Sequence, residues 1–246
     1  MIKNRTVQLI YQTVYCTLGF IGCIACLGIF DDIEVFRWDF YVHFTNISNF
    51  LCLGVMLAAL IQTAKKKEDS FVTVAPALKF VGMLGILLTF LVFNIFLAGA
   101  EGRNPQFNWR VGSLCFHVVL PILYIAHWFL FYERKKCRWY YPVVSAGFPL
   151  AYAIFLLVHA AILQFDSSIL IPTGTGILIY PYFFVNLETQ GVGGVLMWIA
   201  ILAVAFVAVG FAFLGLDRLG KSKTIPGTST IDSNIKTQIA ECKGDE

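Results

Sequence analysis

Six long apolar runs dominate this 246-residue chain and decide what it can fold into. Each run approaches or exceeds the ~20 residues that an α-helix needs to cross the hydrocarbon core of a bilayer. Inside a bilayer the backbone must satisfy its own hydrogen bonds, so each run favours a helix. We therefore predict an all-α, polytopic membrane protein with six transmembrane helices, near residues 8–30, 40–63, 77–99, 110–132, 142–164 and 190–216.

Composition supports this class. The chain is 58% hydrophobic and only 13% charged, and its mean hydropathy is +0.75, values that are too apolar for an ordinary soluble domain. Residues 1–219 are predicted to form one six-helix transmembrane domain. Residues 220–246 are polar and contain no aromatic residue, so we predict a disordered cytoplasmic tail.

The distribution of basic residues predicts the orientation of the helices. Cytoplasmic loops of membrane proteins are enriched in Lys and Arg. With the N-terminus and the C-terminus both cytoplasmic, all but Arg37, Arg103 and Arg110 of the 18 Lys and Arg residues fall on the inner side. The net charge of +3 therefore reflects membrane orientation, and we expect no nucleic acid partner.

Polar side chains on four predicted helices lie at one depth. Counting from the outer helix ends at ~1.5 Å per residue puts all four roughly 10 Å below the outer surface. Polar groups inside a membrane are costly and usually mark a functional site, although they also join helices through hydrogen bonds. The four residues are Thr45, Asn94, His117 and His159.

The stretch FYVHFTNISNF, residues 40–50, contributes the densest polar group. Thr45 and Asn49 are four residues apart and share a helix face. His43, which is paired with Asn46 three residues later, points roughly 160° away from Thr45. A base for Thr45 must therefore come from another helix, and His117 lies at the right level.

Such an arrangement favours nucleophilic catalysis. A threonine hydroxyl becomes a nucleophile when a neighbouring imidazole takes its proton, and the imidazole can then protonate the leaving group. We predict Thr45 as nucleophile and His117 as general acid and base. Asn49 and Asn94 are candidate donors to the oxyanion, and Asn46 is a further site-supporting residue. No metal ion and no cofactor are expected.

Three motifs carry a resemblance to a known family. They are WDFYVHFTNISN, LCFHVVLPILY, and VHAAILQF followed by IYPYFFVNLETQG, and together they cover about residues 38–195. In order and spacing they resemble the androgen-induced and androgen-dependent TFPI-regulating membrane proteins and their bacterial relatives. The resemblance implies an intramembrane threonine hydrolase that cleaves fatty acid esters of hydroxy fatty acids, with Thr45 as nucleophile, His117 as acid and base, and His159 near the site.

A lipid ester could enter such a site sideways, between helices, from the bilayer. We therefore expect a lipid substrate and the lipid bilayer as the partners of this protein. Arg110 lies two helical turns before His117 and is a candidate ligand for a substrate carboxylate, although an arginine there also suits simple snorkelling to the interface. Tyr180, in the loop before the last helix, is a second substrate-binding candidate.

Other functions stay open at this point. His43, His117 and His159 would suit a zinc-dependent lipid hydrolase or a single haem site. A non-catalytic, receptor-like lipid-binding protein is the main alternative outside enzymes. A two-haem arrangement is not expected, because His127 has no histidine partner at its depth. A transporter is less favoured, because the polar layer is displaced outward and the inner halves of the helices are nearly all apolar. The sequence leaves open the oligomeric state and the membrane: the cell membrane of a bacterium, or the endoplasmic reticulum or plasma membrane of a eukaryote.

Overall fold

The computed structural model describes residues 1–26, 38–72, 74–99, 108–165 and 179–219. These ranges are helical and contain no β-strand. Six helices in them are long and apolar enough to cross a membrane. The prediction of an all-α chain with six helices of spanning length is therefore confirmed. The predicted tail, residues 220–246, lies outside the described residues.

The helices are numbered along the chain, and two of the spans are divided. One span consists of α4, a π-helical turn at Cys115–Val119 and α5, and another consists of α6 followed directly by α7. A second π-helical turn, Phe93–Leu97, extends α3, and 3₁₀ turns occupy Trp38–Val42 and Phe183–Val185. The helices are α1 Arg5–Cys26, α2 Phe44–Lys65, α3 Pro76–Val92, α4 Val111–Leu114, α5 Leu120–Phe131, α6 Tyr141–Ser145, α7 Gly147–Phe165 and α8 Leu187–Leu219.

The main core lies where α1, α2, α3 and α5 pack together. Large aromatic side chains fill it, and Tyr15, Tyr124 and Trp128 are fully buried there. Glycines permit the close helix approaches: a Cβ on Gly22 of α1 would come within 2.4 Å of the Phe116 ring. This packing fixes α1 and α2 against the span that carries His117.

A smaller apolar cluster holds the beginning of α2 in place. Phe44 packs there with Leu156 of α7 and with Tyr182 and Val185, which precede α8. The cluster lies at the end of the bundle where α2, α4 and α8 begin and α3 and α7 end. We call this end the site end, because Thr45 and His117 lie there.

A buried pair of polar side chains lies in the half of the bundle opposite the site end. Lys79, near the start of α3, is only 3% exposed, and its Nζ lies 3.0 Å from Nδ1 of His127 on α5. The Lys79 amine also lies over the ring of Tyr132, 5.0 Å from its centroid. The N-terminal turn of α3 packs against α5, so Lys79 and His127 are buried together.

Candidate functional site

Thr45 and His117 come from different helices and meet at the site end. Thr45 lies in the first turn of α2 and is 9% exposed. His117 lies in the π-helical turn between α4 and α5. The Thr45 Oγ1 atom is 3.3 Å from His117 Nε2, within hydrogen-bonding distance. The two residues that sequence reasoning paired are therefore neighbours.

The other nitrogen of His117 is held by Ser113, one turn earlier. His117 Nδ1 lies 2.9 Å from the Ser113 carbonyl oxygen and 3.3 Å from Ser113 Oγ. A carbonyl oxygen only accepts, so in the neutral ring Nδ1 carries the hydrogen and Nε2 presents its lone pair to the Thr45 hydroxyl. The Phe93 ring stacks on the imidazole at 3.6 Å and 21°, which fixes the ring plane.

Pro121 and the π-helical turn leave two backbone carbonyls near His117 in need of donors. The Leu120 N–H bonds to the carbonyl of Cys115, five residues earlier. Pro121 has no N–H to offer to the carbonyls of Phe116 or His117. Side chains replace it: Asn49 Nδ2 donates to Phe116 O at 3.0 Å, and Asn94 Nδ2 donates to His117 O at 3.3 Å. A turn of this kind often marks a functional site.

These contacts change the role expected for Asn49 and Asn94. Asn49 Nδ2 also donates to the Thr45 carbonyl at 2.8 Å, and Asn94 Nδ2 to the Phe90 carbonyl at 2.8 Å. An amide nitrogen carries two hydrogens, and all four are directed at backbone carbonyls. In this arrangement neither residue offers an N–H to an oxyanion, and both instead support the backbone on which Thr45 and His117 stand.

An apolar pocket opens beside Thr45. Its empty volume is about 740 Å³ when the solvent space at its open mouth is included. It is lined by the start of α2, by α3 and the π-helical turn that extends it, by α7 and α8, and by residues 182, 184 and 185. The polar side chains on its wall are those of Thr45, Thr89, Tyr152 and Tyr182.

Tyr182 is the residue that sequence reasoning missed. The Phe44 N–H donates to the Tyr182 hydroxyl at 3.1 Å, and this hydroxyl also interacts with the hydroxyl and backbone N–H of Thr45. Burial raises the pKa of Tyr182, so the phenol stays protonated. The predicted Tyr180 is half-buried elsewhere, where its hydroxyl accepts from Gln164 Nε2 at 3.2 Å. Nothing in the segment YPY distinguishes the two tyrosines.

The remaining candidates lie around this centre rather than in it. Asn46 Nδ2 donates to the Phe40 carbonyl at 2.6 Å and so fastens the 3₁₀ turn to α2. His159 Nε2 lies 3.4 Å from the Tyr41 hydroxyl, and the two rings pack edge to face. Arg110 is exposed and immediately precedes α4.

The histidines proposed for a zinc site do not converge. His117 faces Thr45 and Phe93, while His159 faces Tyr41. Across the part of the chain that the structure describes, no three His, Cys, Asp or Glu side chains come close enough to hold one metal ion. The geometry thus gives no support to the zinc alternative.

The chain was compared with protein-family models, curated proteins and solved structures, and none of them matches it.

Proposed function

We propose that the protein is an intramembrane hydrolase of lipid carboxylic esters, with Thr45 as nucleophile and His117 as general acid and base. The observation that carries this proposal is the 3.3 Å separation of Thr45 Oγ1 and His117 Nε2, with His117 Nδ1 2.9 Å from the Ser113 carbonyl. A nucleophile, a base and a group that orients the base are the parts that acyl transfer requires.

The reaction has two halves. His117 Nε2 takes the Thr45 proton as Oγ1 attacks the ester carbonyl carbon, and the resulting imidazolium protonates the alkoxide that leaves. An acyl ester on Thr45 remains. A water molecule then attacks this ester, His117 takes the water proton, and the same proton returns to Thr45 Oγ1 as the carboxylic acid departs.

The pocket favours a lipid as the substrate. Its wall is almost entirely apolar, and α7 and α8, which form one side, contact each other only sparsely. An acyl chain could enter between them from the bilayer and bring its ester to Thr45. The motif resemblance points to fatty acid esters of hydroxy fatty acids. On this proposal the site end faces the outer leaflet, both termini are cytoplasmic, and Arg110 meets a carboxylate at the interface.

A non-catalytic lipid-binding role is the second candidate. The observation in its favour is the same apolar pocket, which would bind an acyl chain whether or not Thr45 reacts. Reactivity of the Thr45 hydroxyl therefore separates the two functions.

The proposal is tested by labelling the purified, detergent-solubilised protein with an alkyl fluorophosphonate and mapping the adduct by mass spectrometry. We expect an adduct on Thr45 that disappears in Thr45→Ala and in His117→Gln. Thr63→Ala is a matched control, because Thr63 is a buried threonine on the same helix whose hydroxyl donates to the Ala59 carbonyl. An unlabelled but folded wild type, or labelling that survives both substitutions, would contradict the proposal and favour lipid binding alone.

A further inference from the structure

We propose that Tyr182 is a further catalytic residue, whose hydroxyl donates a hydrogen bond to the oxyanion that forms when Thr45 attacks an ester. This inference rests on the proposed function. It answers a question that the site leaves open, because the two asparagines expected to stabilise this charge direct their amide hydrogens to backbone carbonyls.

The position of Tyr182 fits the role. Its hydroxyl oxygen receives the Phe44 N–H at 3.1 Å and interacts with the Thr45 hydroxyl, so it lies beside the atom that would form the new bond. In the tetrahedral adduct, Thr45 Oγ1 and the former carbonyl oxygen of the ester are bonded to the same carbon atom. The Tyr182 O–H is therefore within reach of the developing charge.

The other hydroxyls on the pocket wall are engaged elsewhere. The Tyr152 hydroxyl interacts with the Tyr182 hydroxyl but donates its own hydrogen to the Val42 carbonyl. Thr89 Oγ1 lies 2.7 Å from Ser48 Oγ, which in turn lies 3.0 Å from the Thr45 carbonyl. Among the described residues that line the pocket, Tyr182 is thus the neutral donor best placed to turn toward a new acceptor beside Thr45.

Tyr182 is also held rigidly, which an oxyanion donor requires. The side chain is 8% exposed, and its ring stacks on Phe184 at 5.1 Å with an interplanar angle of 4°. The Phe44 N–H belongs to the first turn of a 22-residue helix, where the helix dipole is positive. A donor of this kind polarises the phenol and strengthens the hydrogen bond that its O–H can give.

Stabilisation of the oxyanion requires no proton transfer from Tyr182. As Thr45 Oγ1 bonds to the carbonyl carbon, the C=O π electrons move onto the oxygen, and the Tyr182 O–H stabilises that charge. When the C=O bond re-forms, the alkoxide leaves with the proton held by His117, and Tyr182 keeps its own. The raised pKa of the buried phenol is consistent with this role.

The experiment compares Tyr182→Phe with Tyr180→Phe in detergent-solubilised full-length protein. Single-turnover acylation by 4-nitrophenyl octanoate is followed together with the affinity for octylboronic acid, which forms a tetrahedral anionic adduct with a nucleophilic hydroxyl. We expect Tyr182→Phe to slow acylation by roughly 10²–10³-fold, as for loss of one oxyanion donor, and to weaken boronate binding comparably. Tyr180→Phe is expected to change neither by more than about twofold, because Tyr180 bonds to Gln164.

The outcomes separate this inference from the proposed function. If wild-type acylation requires Thr45 but Tyr182→Phe acylates at the wild-type rate, the oxyanion role fails and the hydrolase proposal stands. If acylation does not require Thr45, both fail. Should Tyr182→Phe not fold, 3,5-difluorotyrosine at position 182 keeps the ring and the Phe44 contact and is a stronger donor. We expect it to alter the acylation rate and boronate affinity, and no change in either would overturn the inference.

Discussion

The side-chain amide of Asn49 lies 3.0 Å from the carbonyl oxygen of Phe116, so α2 is bonded to the backbone of the turn that presents His117. The same amide donates to the Thr45 carbonyl at 2.8 Å. One side chain thus connects the backbones of the proposed nucleophile and the proposed base, and their separation depends on it.

Substitution of Asn49 should therefore affect both stability and activity. Asn49→Ala leaves the Phe116 carbonyl without a donor in an apolar environment, and we expect a loss of about 1–2 kcal/mol in the free energy of unfolding with slower ester hydrolysis. Asn49→Asp should be worse, because a carboxylate cannot donate and repels both carbonyls. Unfolding in mixed detergent micelles measures the first quantity. Equal stability of Asn49→Ala and wild type would argue against this connection.

Pro121 is expected to shape the π-helical turn. Pro121→Ala supplies an N–H that can bond to the carbonyl of Phe116 or His117, in competition with Asn49 and Asn94. The helix should then become more regular and His117 should move, so we expect hydrolysis to fall by roughly 10²-fold, the scale of a 1 Å misplacement, while stability is kept or raised. The measurement is kcat/KM together with the unfolding midpoint.

Pro76→Ala is the control for this substitution, since Pro76 lies in the first turn of α3, where a helix leaves its N–H groups without intrahelical partners. It should leave hydrolysis near the wild-type rate. Full activity in Pro121→Ala would show that the missing N–H does not control the position of His117.

The contact between α1 and the π-helical turn can be tested with substitutions that change only the packing. A Cβ on Gly22 would lie 2.4 Å from the Phe116 ring, which is buried beside Phe50. Gly22→Ala should destabilise the protein by about 1–3 kcal/mol through overpacking and disturb His117 next to Phe116. Gly54→Ala meets no atom within 4 Å and should be neutral or stabilising by up to ~1 kcal/mol. Similar unfolding midpoints for the two variants would contradict this packing.

The contacts of His159 in the structure and the sequence resemblance predict different roles for this residue. Its Nε2 atom lies 3.4 Å from the Tyr41 hydroxyl, and its ring packs against Tyr41 and Phe155. We expect His159→Gln to keep hydrolysis within about fivefold of wild type, far from the roughly 10²–10⁴-fold that general acid–base catalysis contributes. A loss as large as that of His117→Gln, at unchanged stability, would give His159 the site role that the resemblance implies.

Much of the architecture follows from the sequence because a bilayer imposes few and strong requirements. Run length and hydrophobicity define six spanning helices, and the fixed rise per residue defines depth. Depth alone was enough to place Thr45 and His117 at one level, and the four-residue spacing was enough to put Thr45 and Asn49 on one face. These inferences depend on local geometry, which one helix determines by itself.

Which groups face one another was decided by the tertiary structure. The rotation of each helix depends on its neighbours, and a π-helical turn shifts the register by one residue, so counting from Arg110 to His117 at 100° per residue does not describe this span. The path of the chain before α8 likewise selects Tyr182 over Tyr180. Asn49, Asn94 and His159 each have a hydrogen-bond partner on another segment, and two of these partners are carbonyls near the missing N–H of Pro121. The sequence alone thus determined the level of the polar groups, whereas packing between helices decided their partners, because a hydrogen bond requires direction and distance that no single helix specifies.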